Sequence, residues 1–130
     1  MTKFEQKYLD TARNIVLKHL DTQRFHVFLF GSRARETYAA RTDIDIGIFG
    51  DAALADCDRA AWNAIQDDLE EAWIPYNIDL IDFFTVSNEF KTTALQNYIL
   101  WNQAILVESW QPSAEQWRAG KPYKTPLLLG

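Results

Sequence analysis

A single cysteine, Cys57, stands in the 130 residues, which excludes an internal disulfide and leaves the fold to packing alone. Such usage suits a reducing compartment. With no His or Asn partner at a telling spacing, Cys57 reads as a packing residue rather than a nucleophile. No apolar run approaches the ~18 residues that span a bilayer. No basic segment followed by an apolar one opens the chain, so a cytoplasmic protein without a membrane partner is expected. Positive charge is also short, with 13 basic against 18 acidic residues and a net charge of −5. That balance argues against binding bulk nucleic acid but leaves room for a small anion held through a metal ion. What the chain does have is apolar substance, 48% hydrophobic and 14% aromatic, enough for one domain with its own core.

Residues 2 to 20 read as an amphipathic helix, with Thr2-Lys3-Phe4-Glu5 matching a capping box and Phe4, Tyr8, Ala12, Ile15, Val16 and Leu20 at helical spacing. The aromatic run Phe25 to Phe30 is too short for a helix and suits a buried strand. Gly31-Ser32 ends it, with a short helix expected over 33 to 39. Asp43 to Phe49 is a second strand. From 53 to 73, Leu54, Cys57, Ala61, Ile65, Leu69, Ala72 and Trp73 form one helical stripe, stopped by Pro75. Residues 77 to 82 suit a third strand, 88 to 100 a helix capped by Ser87, and Ala104 to Val107 a last strand. Beyond Glu108, Pro112, Gly120, Pro122 and Pro126 break the pattern among Trp110, Trp117 and Tyr123. The expected organisation is one α/β (α+β) domain over 1–108, and an extended segment over 109–130 packed on the domain or on a partner.

The chemistry lies in two short motifs. A strand that ends in Gly31-Ser32 and runs into a helix presents free backbone N–H groups that can receive phosphate oxygens, with Arg33 as a neutralising charge. Alone this is weak, since most such turns are only turns, and the Gly-Lys-Ser/Thr ending of a P-loop is missing. Asp43 and Asp45, two apart in a strand, project together while Ile44, Ile46 and Ile48 face a core. Paired carboxylates repel, and the simplest partner is a divalent metal ion. A solvent-facing alternation would cost little, so the pair alone leaves both readings open. Asp79, between Ile78 and Leu80 in the next strand, tips the balance. If the two strands are neighbours, three carboxylates stand together and could hold two Mg²⁺ ions for phosphoryl transfer. Asp43 and Asp45 would ligate metal, and Asp79 would complete the site and help remove a hydroxyl proton. Asp82 falls on the opposite face and suits a surface or capping role.

Leu29-Phe30-Gly31-Ser32-Arg33-Ala34-Arg35, Thr42-Asp43-Ile44-Asp45-Ile46 and Ile78-Asp79-Leu80-Ile81-Asp82 together resemble the minimal nucleotidyltransferases of the DNA polymerase beta superfamily. The resemblance covers residues 8 to 108. It implies a nucleotidyltransferase fold, a small mixed sheet flanked by helices, with Gly31 and Ser32 at the triphosphate and Asp43, Asp45 and Asp79 at metal. It also implies transfer of a nucleoside monophosphate, AMP from ATP, with release of pyrophosphate. One departure is Glu36, where the family often has glycine: turned inward it would weaken nucleotide binding, turned outward it would matter little.

Members that modify small drugs carry a further helical domain for the acceptor, for which this chain has no room after residue 108. The minimal members act with a helical HEPN-type ribonuclease toxin and neutralise it by adding AMP to a tyrosine. The resemblance therefore implies an antitoxin, in a homo- or hetero-oligomer. Two alternatives stand beside it: a non-catalytic member that only binds the toxin or a nucleotide, and an aminoglycoside-type enzyme acting as a homo-oligomer. His19 and His26 lack a second ligand at suitable spacing and read as structural.

Overall fold

The structure is a computed structural model, described here over residues 3–34 and 43–104. The elements run α1 (Lys3–His19), β1 (His26–Phe30), a 3-10 turn over Gly31–Ala34, β2 (Ile44–Phe49), α2 (Leu54–Cys57), α3 (Arg59–Glu71), β3 (Ile78–Asp82), α4 (Asn88–Ala94) and β4 (Tyr98–Asn102). One mixed sheet has the order β3-β2-β1-β4. β1 pairs antiparallel with β2 and with β4, while β2 and β3 run parallel. The crossover through α2 and α3 makes that parallel pair possible.

Period-two alternation gives the sheet two buried faces. Val27, Leu29, Ile44, Ile46 and Ile48 join Leu9, Ala12 and Val16 of α1 and Ala61, Ile65 and Leu69 of α3 in one core. On the other face Phe28, Phe30, Phe49, Phe83, Tyr98 and Leu100 form a second, aromatic core, which Ala94 of α4 packs against. Phe28 and Phe83 meet edge to face at 4.8 Å between ring centres. Gly47 makes that contact possible, because a Cβ there would strike the Phe28 ring and come within 2.8 Å of Phe83.

Several expectations need correction. The single helix over 53 to 73 is two, because Asp58 leaves the helical region and accepts a hydrogen bond from Ala61 N at 3.1 Å as the cap of α3. That helix ends at Glu71, before Pro75. Trp73 follows in the left-handed region at φ 55 and is 89% exposed, so it leaves the buried stripe. Cys57, at the end of α2, is likewise exposed rather than packed.

The helix over 88 to 100 stops at Ala94, and 98–102 is a strand, with Tyr98 and Leu100 on the aromatic face and Ile99 and Trp101 on the other. This β-favouring run gains more from pairing with β1 than from one more helical turn. Ser87 does cap α4, accepting from Phe90 N at 3.1 Å. Ala104 lies beyond β4; of the short helix expected over 33 to 39, residues 33 and 34 fall in the 3-10 turn, while 35 to 39, Ile105 to Val107, the segment 109–130 and Thr2 lie outside the described residues. No described helix is long and apolar enough to cross a membrane.

Asp82 takes the capping role expected of it. Its Oδ2 accepts from Leu54 N at 2.7 Å, opening α2, and its Oδ1 accepts from Phe84 N at 3.0 Å. Asp82→Ala leaves the part-buried Leu54 N–H and the exposed Phe84 N–H without that carboxylate and should cost about 1–3 kcal/mol, chiefly through the first. Chemical denaturation measures this, and Asp79→Ala, whose carboxylate accepts no backbone hydrogen bond among the described residues, should cost far less.

Candidate active site

Cross-strand register assembles the site. Asp45 of β2 lies opposite Asp79 of β3 and also opposite Phe30 of β1, which in turn faces Tyr98 of β4. One row, Asp79–Asp45–Phe30–Tyr98, therefore crosses all four strands on the aromatic face, each step about 4.8 Å. Asp43 stands two residues before Asp45, just ahead of β2, with its Cβ expected on the same side. Asp45 and Asp79 thus stand side by side at one end of the sheet, where β1 gives way to the 3-10 turn, and the charge of Asp43 acts on Asp45.

Gly31 is the hinge of that corner. It has φ +76, and a Cβ placed on it would run into the Asp45 carboxylate. Only glycine offers both the left-handed backbone and the space. The sequence reading gave Gly31 the task of admitting phosphate; the structure adds that it admits the carboxylate of Asp45. Ser32 and Arg33 follow in the 3-10 turn, next to the acidic row in the chain trace. Glu36 lies outside the described residues.

The electrostatics follow from the crowding. Burial first, then the charges of Asp79 and Asp43 and a hydrogen bond with Asp79, push the Asp45 carboxyl up from 3.8 to about 6. An acid in this state calls for positive charge. Among the described residues no three His, Cys, Asp or Glu side chains are gathered as a ready-made metal cage. A facing pair with a third carboxylate nearby suits Mg²⁺ better than Ca²⁺, because Mg²⁺ is commonly held by one or two carboxylates with substrate phosphates completing its shell.

The two histidines stand elsewhere. His19 Nε2 lies 2.7 Å from Asp68 Oδ2, joining α1 to α3. His26 is buried, its Nδ1 accepts from Ala104 N at 3.1 Å, and desolvation lowers its pKa to about 4. Both are structural, as their isolation in the sequence suggested. What the sequence reading missed is the aromatic half of the row, Phe30 and Tyr98, because pairing between distant strands leaves no local signal.

Residues 14–105 match the family described as polymerase beta, nucleotidyltransferase. The chain belongs to this family of nucleotidyltransferases. Among individual proteins it is similar to the Probable protein adenylyltransferase MntA of Haemophilus influenzae, 25% identical over 103 residues that cover 77% of this chain and 88% of that protein. Its fold is similar to a crystal structure of a mutant MntA–HpeT toxin–antitoxin, with TM-score 0.53, 15% identity and coverage of 85% and 79%. A toxin–antitoxin crystal structure with AMP-PNP matches at TM-score 0.50, 19% identity and coverage of 83% and 80%.

The raised Asp45 sets a pH dependence whose sign follows from linkage. Between pH 3.8 and about 6 the folded protein keeps a proton on Asp45 that the unfolded chain has released. In the metal-free protein this stabilisation is full below the lower value and is lost as pH rises through the upper one. Asp45→Asn should therefore flatten the dependence and be the more stable protein at neutral pH, as read from denaturation midpoints across that range. Parallel pH profiles for the two proteins would contradict it.

Proposed function

We propose that the protein is a metal-dependent adenylyltransferase that moves AMP from ATP to a hydroxyl of a HEPN-type ribonuclease toxin, for which it is the antitoxin, and that it works in the cytoplasm. The observation that carries the chemistry is Asp45 facing Asp79 across the parallel strands, with the carboxylate of Asp45 against the Gly31 turn. Further support comes from family membership and from the adenylyltransferase name of the Haemophilus influenzae relative. The partner is suggested by the toxin–antitoxin complexes that share the fold.

Each residue then has a task. Gly31, Ser32 and Arg33 receive the triphosphate, the first two through close backbone approach and N–H or hydroxyl donors, the third as a cation. Asp43, Asp45 and Asp79 hold Mg²⁺, and Asp79, the exposed member of the facing pair, takes the proton from the acceptor hydroxyl. When bound, the divalent cations neutralise the triphosphate and make the acceptor oxygen a better nucleophile. The acceptor oxygen forms a bond to the α-phosphorus. The bond from that phosphorus to the oxygen bridging to the β-phosphate breaks, and pyrophosphate leaves.

The test is to incubate the protein with its toxin partner, Mg²⁺ and ATP labelled at the α-phosphate. Label should appear on the toxin. Asp45→Asn and Asp79→Asn should each lower the rate by more than the 10–100-fold, roughly, that loss of an outer-shell partner costs a metal site. Neutralisation of the toxin that survives either substitution, without transfer of label, would sink the catalytic reading.

A further inference from the structure

A cleft of about 190 Å³ opens beside the acidic row, between the end of β1 and the end of α4. Phe30 and Gly31 form one wall, and Phe90, Thr93, Gln96 and Asn97 form the others. It shares Gly31 with the expected triphosphate turn, and it shares Phe30 with the row that holds Asp45 and Asp79. The cleft is smaller than the roughly 300–1,000 Å³ of sites that take whole drug-sized ligands. One ring system fits; a nucleoside triphosphate does not.

Its lining has two unlike parts. Phe90 is 41% exposed although its ring is fixed from below, at 6.1 Å and 78° to Phe30 and 5.5 Å and 62° to Phe83. With 41% of its surface open, the Phe90 ring can receive a flat partner. The cleft is also lined by two carboxamides, Gln96 and Asn97, in the connection between α4 and β4. Among the described residues neither side chain has a hydrogen-bond partner. A carboxamide offers a donor and an acceptor side by side, the pattern that pairs with the edge of a purine.

We propose that this cleft is the nucleobase site, in which a purine stacks on Phe90 and presents its polar edge to Asn97 and Gln96, while its triphosphate turns at Gly31 toward Asp45 and Asp79. The assignment rests on the nucleotidyltransferase reading and deepens it, since the phosphates and the acidic row fix where a nucleotide lies but say nothing of which base it carries. A competing occupant is an aromatic side chain of the acceptor protein.

Calorimetry on the full chain separates these, with ATP, UTP and inorganic tripolyphosphate as probes, each with Mg²⁺. The wild type should prefer ATP to UTP. Phe90→Leu, which keeps apolar bulk but loses the π face, should weaken ATP by about fivefold or more, the scale of one lost base stack, and leave tripolyphosphate unchanged. Thr93→Trp fills the cleft from an exposed helical position, so it should do the same without touching the aromatic core. Asn97→Ala should narrow the ATP-to-UTP ratio.

Equal ATP affinity in wild type, Phe90→Leu and Thr93→Trp overturns the base site. If those variants instead raise only the KM for the acceptor protein, the cleft belongs to the acceptor and the proposal fails while the nucleotidyltransferase reading stands. A wild type that binds neither ATP nor tripolyphosphate overturns both.

Discussion

Two carboxylates from parallel neighbouring strands, Asp45 and Asp79, are held face to face at the end of the sheet, where like charges repel and burial makes the repulsion worse. The rest of the molecule can be understood as what keeps them there. Isoleucines on the reverse side of β2 anchor that strand in the core under α1 and α3. The crossover through α2 and α3 brings β3 alongside in parallel, and Asp82 fastens the start of α2 to the end of β3. Gly31 leaves room for the Asp45 carboxylate against the turn. A raised Asp45 is the residue of this conflict, and conflicts of this kind are kept where a bound charge resolves them.

The two faces of the sheet divide the labour. The aliphatic face supplies stability through helices packed on branched side chains. The aromatic face carries the acidic row at one end and is roofed by the short α4, so that part of it remains accessible. A fold this small gains function by leaving one face incompletely covered.

Much of this was legible in the sequence. Asp-x-Asp in an apolar strand forces the carboxylates to one side by period two alone, and Asp79 repeats the pattern in the next apolar run. Asp82 could be excluded from the site by parity and proved to be a cap. The errors fell where short-range pattern and long-range pairing disagree. Tyr98 to Asn102 continues a helical-looking segment, and only the pairing with β1 makes it a strand. Asp58 interrupts a good amphipathic stripe because a capping side chain competes with the next helical turn. The row that joins Asp45 to Phe30 and Tyr98 depends on register between strands far apart in the chain, which no local periodicity encodes.

The central claim is that the facing aspartates form a divalent-cation site completed by a nucleoside triphosphate. Electron paramagnetic resonance of Mn²⁺, titrated into the protein with a non-hydrolysable ATP analogue, tests it without any partner protein. Bound Mn²⁺ is expected with the wild type, to weaken strongly when the analogue is withheld, and to vanish in Asp45→Asn and Asp79→Asn while both variants stay folded. Unchanged Mn²⁺ binding in those two variants would contradict the account.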